Sequence, residues 1–386
     1  HMAKLPVVPV PPTAPEGRIS PIPLEVENAY LAMGLDLLQD PEPFTPARIL
    51  YTPFHGTGIA FVPTLFELAA LPLATSPSQG IQDGTFPTAP RPNPEELAAY
   101  AAPLAEAEAM DAEVILANDP DADRIGVVAK RHGAWELMSG NDLAALTLDY
   151  LCSGKGREGA VVSTVVTSDF MAEVARHHGL PVVWTLTGFK NIAVCMDRLD
   201  ELKEAYAFGA EESYGMLLPP KLRDKDGVTA ALVVAEMAGH FKARGMTLFE
   251  AVDALMARVG TFHNRLVNLE DPRPGGAKRF AEAMERIRTA GLASLGGEKV
   301  VSWEDFQTGL WHGEGRSEAI LDRPDNRAVA LPIPRSNVLK FRLESGAFAA
   351  FRPSGTEPKL KVYLQSRTDA ALMDRLEAEA RSLLGL

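Results

Sequence analysis

The chain has 386 residues, a length that predicts two or three domains. With 46% hydrophobic and 23% charged residues its composition is close to the globular average, which excludes disordered, collagenous and coiled-coil chains. A formal net charge of −13 argues against nucleic acid or an anionic membrane as the main partner. No apolar run approaches the ~18 residues of a membrane span. Only two cysteines, Cys152 and Cys195, are present; this favours a reducing compartment, and we expect a cytoplasmic protein.

Residues 1–24 are predicted to lie outside the folded domains. His1-Met2 is typical of a cloning scar, and seven prolines between residues 3 and 23 exclude a helix there. The segment is therefore expected to be an extended connector.

Residues 25–155 are predicted to form an α/β domain, because helical spacing alternates with short buried strands. The expected helices are a first one starting near Glu25, then 59–70, 93–109 and 141–151, and the expected strands are 48–51, 114–117 and 125–129.

Residues 156–262 repeat this alternation after a glycine-rich break and are predicted to form a second α/β domain. Its expected strands are 161–166, 181–186 and 206–208, and its expected helices are one starting at Ser168 or Asp169, 192–205 and 228–243.

Residues 263–386 differ, because a hairpin signal at Glu344-Ser-Gly346 joins two alternating strands and an amphipathic helix ends the chain. We expect a linker followed by a C-terminal α+β domain. The predicted fold is thus two three-layer α/β domains, with mixed sheets flanked by helices, and a C-terminal α+β domain.

The first candidate site is the loop Asn118-Asp-Pro-Asp-Ala-Asp-Arg124 between two predicted strands. Three carboxylates at Asp119, Asp121 and Asp123 lie close together most easily around a cation. The positions that an EF-hand needs as glycine and glutamate are Arg124 and Lys130, so that motif is excluded. Oxygen ligands without histidine or cysteine suit Mg²⁺. The alternative is an acidic turn that caps a strand.

The second candidate is Thr187-Gly-Phe-Lys190, directly after a predicted strand. Lys190 is placed to pair with phosphate or to transfer a proton. From these four residues alone, a surface lysine at a helix start is the simpler interpretation.

The third candidate is Gly209-Ala-Glu-Glu-Ser-Tyr-Gly215. Two carboxylates and a hydroxyl in a loop bounded by glycines can accept hydrogen bonds from sugar hydroxyls. A polar turn with capping side chains is an equally simple interpretation. The following Arg223-Asp-Lys-Asp-Gly227 supplies positive charge or caps the next helix.

The fourth candidate is Arg352-Pro-Ser-Gly-Thr-Glu-Pro-Lys359, which links two predicted strands. Two cations, two hydroxyls and a glycine that permits close backbone approach are typical of a phosphate-binding nest. The spacing is not that of a Walker loop.

In this order, the four motifs resemble those of the α-D-phosphohexomutase superfamily, in particular its phosphoglucomutase and phosphopentomutase branch. Tyr51-Thr-Pro-Phe-His-Gly56 also matches, and the resemblance covers residues 25–386. The family fold implies three α/β domains and a final α+β domain around a central cleft. The family reaction moves a phosphoryl group from a phosphoserine to the sugar, forms a bisphosphate, and takes the other phosphoryl group back. The resemblance thus implies glucose 1,6-bisphosphate as intermediate and activator.

The resemblance also implies roles for individual residues. Mg²⁺ would be held by the three aspartates of the first loop, with Arg124 beside the transferred phosphoryl group and Lys190 as general acid or base. Glu211 and Ser213 would bind sugar hydroxyls. The non-transferred phosphate would be held by Arg352, Ser354, Gly355, Thr356 and Lys359.

One element of the family is missing, because its phosphoserine lies in a Thr-Ala-Ser-His-Asn-Pro type loop of the first domain. No such segment occurs here, and Ser76 and Ser78 lack the pattern. We therefore expect the N-terminal domain of the same protein to supply the phosphoserine, and this chain to be inactive alone. The expected partner is a small sugar phosphate, with glucose favoured over ribose and mannose. The alternatives are a phosphopentomutase and a sugar-phosphate-binding module without catalysis.

Overall fold

The structure, a computed structural model, describes residues 21–320, 335–354, 358–368 and 370–385. It confirms the predicted class, two α/β units followed by a C-terminal α+β unit. Within those residues, no helix combines the length and apolar character that a bilayer crossing requires. One apolar core runs through both α/β units, and a second fills the C-terminal unit.

The first unit is a five-stranded sheet in the order β2-β1-β3-β4-β5. Its first three strands pair in parallel, whereas β3, β4 and β5 pair in antiparallel fashion. The metal-loop candidate is therefore a tight connection between two antiparallel neighbours. The elements are α1 (Leu24–Leu35), β1 (Ile49–Thr52), α2 (Val62–Leu68), β2 (Ala74–Thr75), α3 (Ala101–Ala109), β3 (Val114–Asn118), β4 (Ile125–Arg131) and β5 (Ala134–Leu137).

The second unit is a four-stranded sheet in the order β7-β6-β8-β9, parallel except for the last pair. The turn between β8 and β9 holds the third sequence motif. The elements are α4 (Gly140–Ser153), β6 (Ala160–Thr164), α5 (Asp169–His177), β7 (Val182–Thr185), α6 (Phe189–Leu202), β8 (Tyr206–Ala210), β9 (Met216–Leu217), α7 (Gly227–Lys242) and α8 (Leu248–Val259).

The C-terminal unit is an antiparallel sheet with the path β10-β17-β16-β15-β12-β13-β14, and β11 pairs with β12. The fourth motif connects β16 to β17. The elements are β10 (His263–Glu270), α9 (Gly276–Ala290), β11 (Ser294–Leu295), β12 (Glu298–Asp305), β13 (Leu310–Gly313), β14 (Arg316–Ala319), β15 (Leu339–Leu343), β16 (Phe348–Pro353), β17 (Lys359–Ser366) and α10 (Ala370–Leu384).

Two predicted helix starts are wrong. The helix expected from Asn93 begins as an α-helix only at Ala101, after a short 3₁₀ turn. Pro103 explains this, because a proline ring clashes with the carbonyl four residues earlier unless it lies in the first helical turn. The helix expected to be capped by Asn141 is capped instead by Ser139, whose Oγ accepts the N–H of Asp142 at 3.1 Å.

A buried polar cluster joins the second unit to the C-terminal unit. Asp169 accepts hydrogen bonds from Arg342 at 2.8 Å and from Gln365 Nε2 at 3.2 Å. The other amide atom of Gln365, Oε1, accepts from Ser168 Oγ at 2.8 Å and from the N–H of Asp169 at 2.7 Å. This cluster fixes the sheet that carries Arg352 against the unit that carries the third motif.

Lys340, in the same interface, is predicted to make stability rise with pH. Its side chain is 1% exposed, and Nζ donates to the carbonyl of Val165 at 2.8 Å. Burial, with the nearby Arg342, lowers the pKa of Lys340 to about 8 although Asp169 counteracts the shift. Because the folded pKa lies below the ordinary value, the unfolded chain binds more protons above pH 8. Unfolding free energies should therefore rise there by up to ~1.4 kcal/mol per pH unit relative to Lys340→Met. Equal slopes for the two proteins in urea titrations from pH 7.5 to 9.5 would contradict this.

Candidate functional site

The acidic loop lies between β3 and β4, and it is anchored by Asn118. Tyr51 donates its hydroxyl to Asn118 Oδ1 at 2.9 Å, and Asn118 Nδ2 donates to the carbonyl of Arg124 at 2.6 Å. The loop is thereby closed at its two ends by a buried side chain. One carboxylate oxygen from each aspartate, Asp119, Asp121 and Asp123, lies within 4.8 Å of the others.

Neighbouring turns brace the loop from two sides. The N–H of Thr57 donates to the carbonyl of Pro120 at 2.8 Å, and the N–H of Gly227 donates to the carbonyl of Ala122 at 3.0 Å. Gly56 and Gly227 are required by close approach, because a Cβ at either would lie 2.3 Å from backbone atoms of the loop. Ala122 has a positive φ of 59°, which this bracing holds in place.

The electrostatics of the loop fit a divalent cation that prefers oxygen ligands. Burial raises the pKa of Asp119 to about 7; the N–H of Arg124 opposes this shift, and the carboxylates of Asp123 and Asp121 add to it. The buried Oδ1 of Asp123 accepts no hydrogen bond from any described residue. A carboxylate crowded by two others and an unsatisfied buried oxygen are features that Mg²⁺ would satisfy. We therefore identify Asp119, Asp121 and Asp123 as the set that fits this ion.

Two cations lie beside the three aspartates. Arg124 Nε is 3.4 Å from Asp119 Oδ2 and 3.7 Å from Asp123 Oδ1. Lys225 Nζ is 2.5 Å from Asp123 Oδ2. Arg124 also lies 3.8 Å from Glu95. The three aspartates therefore share two cations, one of which also contacts Glu95.

The second and third motifs meet at Glu211. The N–H of Gly188 donates to Glu211 Oε1 at 2.5 Å, so the loop before α6 holds this carboxylate directly. Gly188 has a φ of 106°, a conformation that favours glycine. Lys190 lies in the first turn of α6 with an exposed side chain.

The third motif also contacts the acidic loop. The N–H of Ile125 donates to the carbonyl of Tyr214 at 3.1 Å, and a β-bridge joins Arg124 to Gly215. Ser213, in the same turn, is half-buried beside Tyr214. The candidate metal loop and the candidate sugar loop are therefore in direct backbone contact.

The carboxylate of Glu211 is subject to charges from all three units. Burial raises its pKa, whereas the N–H of Gly188 and the cations Lys225, Arg352 and Arg124 lower it. Lys225 lies in the segment before α7, Arg352 lies on β16, and Arg124 ends the acidic loop. Glu211 is thus influenced electrostatically by cations from three parts of the chain.

Glu212, the next residue, contacts the opposite side of the turn. It accepts a hydrogen bond from Thr167 Oγ1 at 3.0 Å, and burial, with the neighbouring Glu211, raises its pKa to about 7. It lines a polar cavity of about 310 Å³ together with Lys361 and Tyr363 of β17. The two adjacent glutamates of the motif therefore contact different parts of the structure: Glu211 contacts Gly188, and Glu212 contacts Thr167.

The structure describes the fourth motif in part. Arg352, near the end of β16, donates to the hydroxyl of Tyr363 at 3.4 Å, and the N–H of Ser354 donates to the carbonyl of Lys359 at 2.8 Å. Lys359 Nζ forms an ion pair with Glu270 at 3.3 Å. Gly355 and Thr356 lie outside the described residues.

Several residues that shape the site are not predicted from the sequence. In the sequence, Lys225 stands out only as part of the charged segment Arg223–Gly227. Its contact with Asp123 joins residues 102 positions apart, which no local pattern indicates. Tyr51 and Asn118 belong to the sequence motifs described above, but their role in anchoring the acidic loop is not evident from those motifs. His55, within the segment Tyr51–Gly56, was not missed: a histidine in this turn is expected to be structural, and its buried ring contacts Ile81 O and Thr88 Oγ1.

The fold and the site define a three-unit protein in which the acidic loop contacts the turn that follows Glu211. Family models for the phosphoglucomutase/phosphomannomutase domains match in order along the chain: α/β/α domain II at residues 29–133, α/β/α domain III at 139–259 and the C-terminal domain at 267–382. The chain belongs to the phosphoglucomutase/phosphomannomutase family, part of the α-D-phosphohexomutase superfamily.

Individual relatives agree with this assignment. A protein named "Probable phosphomannomutase" from Haemophilus influenzae is 32% identical over 360 residues, which are 92% of this chain and 67% of that protein. A Staphylococcus epidermidis phosphoglucomutase is 30% identical over 370 residues, covering 92% and 64%. A solved phosphoglucomutase/phosphomannomutase family protein from Burkholderia thailandensis shares the fold, with a TM-score of 0.62, 17% identity and coverage of 93% and 64%. The chain thus spans about two thirds of the length of these relatives.

Proposed function

We propose that this chain is the metal-, sugar- and phosphate-binding part of a Mg²⁺-dependent phosphoglucomutase-type enzyme. The enzyme would interconvert the 1-phosphate and 6-phosphate of a hexose. The observation that carries the proposal is the position of Glu211, which accepts a hydrogen bond from the loop of Lys190 and is influenced electrostatically by Arg124, Lys225 and Arg352. A sugar phosphate requires a polar acceptor for its hydroxyls and cations for its phosphate, and this site offers both.

In this proposal each motif has one task. Asp119, Asp121 and Asp123 would hold Mg²⁺, which neutralises charge on a transferring phosphoryl group when bound. Arg124 contacts that phosphoryl group, and Lys190 Nζ exchanges a proton with the reacting hydroxyl.

The remaining motifs orient the substrate, which is a large part of catalysis in phosphoryl transfer. Glu211 and Ser213 accept hydrogen bonds from sugar hydroxyls. The non-transferred phosphate is held by the fourth motif, through Arg352, Ser354, Gly355, Thr356 and Lys359. Lys359 can hold the phosphate only when its ion pair with Glu270 opens. Both side chains of this pair are substantially exposed.

The phosphoryl donor is proposed to be a phosphoserine supplied by the N-terminal domain of the same protein, with glucose 1,6-bisphosphate as the intermediate. Support comes from the absence of the Ser-His-Asn-Pro pattern in this sequence and from its coverage of two thirds of its relatives. The chain alone would then bind sugar phosphate without turnover. We place the protein in the cytoplasm, in line with its two unpaired cysteines. The relatives reported above are named for glucose and mannose, which does not favour the pentose alternative.

Calorimetric titration of the chain in Mg²⁺ with glucose 1-phosphate, mannose 1-phosphate and ribose 1-phosphate tests the proposal. We expect a hexose phosphate to bind most tightly and Arg352→Ala to weaken it by at least about tenfold, because a charge-assisted phosphate contact is lost. Arg316→Ala is the matched control, since Arg316 is an exposed arginine on β14 of the same sheet. Equal binding by both variants, or no binding of any sugar phosphate, would contradict the proposal.

A further inference from the structure

Gly140, the first residue of α4, lies directly against the turn that carries Ser213. A Cβ at this position would lie 2.3 Å from the carbonyl oxygen of Glu212 and 2.9 Å from the backbone nitrogen of Tyr214. These two atoms belong to the peptide groups on either side of Ser213. The start of α4 is therefore the surface on which the segment around this serine packs.

The conformation of Gly140 does not itself require glycine. Its φ lies outside the left-handed region that favours this residue, and alanine is the better helix former by about 1 kcal/mol in a helix interior. The helix is already capped by Ser139, whose Oγ accepts the N–H of Asp142. A side chain at position 140 would thus disturb the contact with the turn and not the helix itself.

The turn is also held on both sides of its central serine. Its ends are joined by a hydrogen bond from the N–H of Glu211 to the carbonyl of Gly215 at 2.9 Å. The carboxylate of Glu212 accepts from Thr167 Oγ1 at 3.0 Å. Tyr214 has a φ of 69°, a conformation that is rare for a bulky residue. Because these contacts fix the flanks, the packing against α4 determines where the serine lies.

A side chain at position 140 would displace the turn rather than the helix. Every residue of α4 from Leu143 to Leu151 is buried, whereas Glu212 and Ser213 are only half-buried. A Cβ is essentially never found closer than 3.0 Å to another atom, so relief of the 2.3 Å contact requires a shift of at least about 0.7 Å. A hydrogen bond of ordinary length does not survive such a shift.

We propose that Gly140 is a positioning residue for sugar recognition: its bare Cα sets the position of Ser213 relative to Glu211, so that both side chains accept hydrogen bonds from the same sugar. The proposal rests on the sugar-binding role of these two residues in the proposed function. Glu211 is held separately, because its carboxylate accepts the N–H of Gly188. A change at position 140 should therefore move only one of the two acceptors.

The first test is calorimetric titration in Mg²⁺ with glucose 1-phosphate and with inorganic phosphate. Gly140→Ala should weaken glucose 1-phosphate by about tenfold, because one hydrogen bond to the sugar is lost. The affinity for inorganic phosphate should stay within about twofold of the wild type, since this ligand has no sugar hydroxyl. Thermal unfolding checks that the variant is folded.

The matched control is Gly239→Ala, at a second glycine of a buried helix. A Cβ there would lie 2.3 Å from the ring of Phe44, so the substitution introduces a similar clash. Gly239 lies twelve residues beyond Gly227, the start of α7, which is about 18 Å along the helix from the acidic loop. Both affinities of this variant should stay near those of the wild type.

The second test is a double-mutant cycle with Ser213→Ala. If Gly140 acts through Ser213, Gly140→Ala should change the glucose 1-phosphate affinity by less than about twofold once the hydroxyl of Ser213 is absent. A residue that only stabilises the fold would show its full effect with either residue at position 213.

The outcomes distinguish the positioning role from the proposed function. If the wild type does not bind glucose 1-phosphate, or Ser213→Ala binds it equally well, the sugar-binding role of Ser213 is wrong and the positioning role falls with it. If Ser213→Ala weakens binding but Gly140→Ala does not, only the positioning role is overturned. Equal losses in Gly140→Ala and Gly239→Ala, full additivity in the cycle, or an unfolded Gly140→Ala would also overturn it.

Discussion

Replacement of Asp119 by asparagine is expected to lower the affinity of the chain for Mg²⁺ by at least ~100-fold, because even residues that only support metal ligands cost 10–100-fold when changed. The substitution replaces an anionic carboxylate oxygen by a neutral amide oxygen, whereas Mg²⁺ prefers anionic oxygen ligands. The fold should persist, since Asp119 Oδ1 accepts the N–H of Arg124 at 2.9 Å and an asparagine oxygen retains that acceptor. Calorimetric titration with MgCl₂ measures the effect.

The control for Asp119→Asn is Asp111→Asn, which removes the same charge from a surface carboxylate. Asp111 is 86% exposed and pairs with Arg48 at 3.2 Å. It should leave the Mg²⁺ affinity within about twofold, because exposed charges more than a Debye length away are screened. Equal losses in the two variants would show that the acidic loop is not the metal site.

Asp169→Ala is expected to lower the free energy of unfolding by about 3–5 kcal/mol, the usual cost of removing one partner of a buried ion pair. Asp169 is 8% exposed and bonds Arg342 and Gln365 across the boundary between the second unit and the C-terminal unit. Without it, Arg342 loses its partner at 2.8 Å and the buried Lys340 loses a nearby negative charge. Urea denaturation followed by circular dichroism measures the loss.

The comparison variant is Asp374→Ala, since Asp374 pairs with Arg265 at 2.8 Å but is 72% exposed. Such surface pairs contribute about 0–1 kcal/mol. If Asp169→Ala costs no more than Asp374→Ala, the polar cluster does not hold the two units together.

The effect of Asp169 should depend on pH in a defined direction. Although burial raises the pKa of Asp169, Arg342 and Lys340 hold it well below its usual range. Because the folded pKa lies below the unfolded one, the contribution is complete above about pH 5 and is lost as the pH falls. The stability difference between wild type and Asp169→Ala should therefore be constant from about pH 5 to 7 and shrink below about pH 4. A difference that grows on acidification would contradict this assignment.

Sequence patterns were sufficient where local chemistry determines structure. The hairpin around Gly346 and the strands beside the acidic loop were predicted, because alternation and turn residues act over a few positions. A helix start at Ser168 or Asp169 was predicted for the same reason, and of the two Ser168 is the cap, since its Oγ accepts the N–H of Phe170 at 3.1 Å. Three aspartates at alternate positions also indicate a shared site, and a carboxylate oxygen of each lies within 4.8 Å of the others.

Contacts between distant segments could not be predicted in this way. The pair of Lys225 with Asp123 and the cluster of Asp169 with Arg342 each depend on how whole units pack. Helix α8 was missed although Thr247 and Glu250 form a capping box at its start. The outer strands β12 to β14 were missed because their polar, half-exposed residues give no clear alternation of burial.

The most direct test of the central claim is a crystal structure of the chain grown with Mn²⁺ and glucose 1-phosphate, with an anomalous map measured at the manganese edge. The account predicts one manganese peak bound by Asp119, Asp121 and Asp123, sugar hydroxyls at Glu211, and phosphate density beside Arg352. Manganese at any other carboxylate cluster, or a sugar phosphate bound away from Glu211, would contradict it.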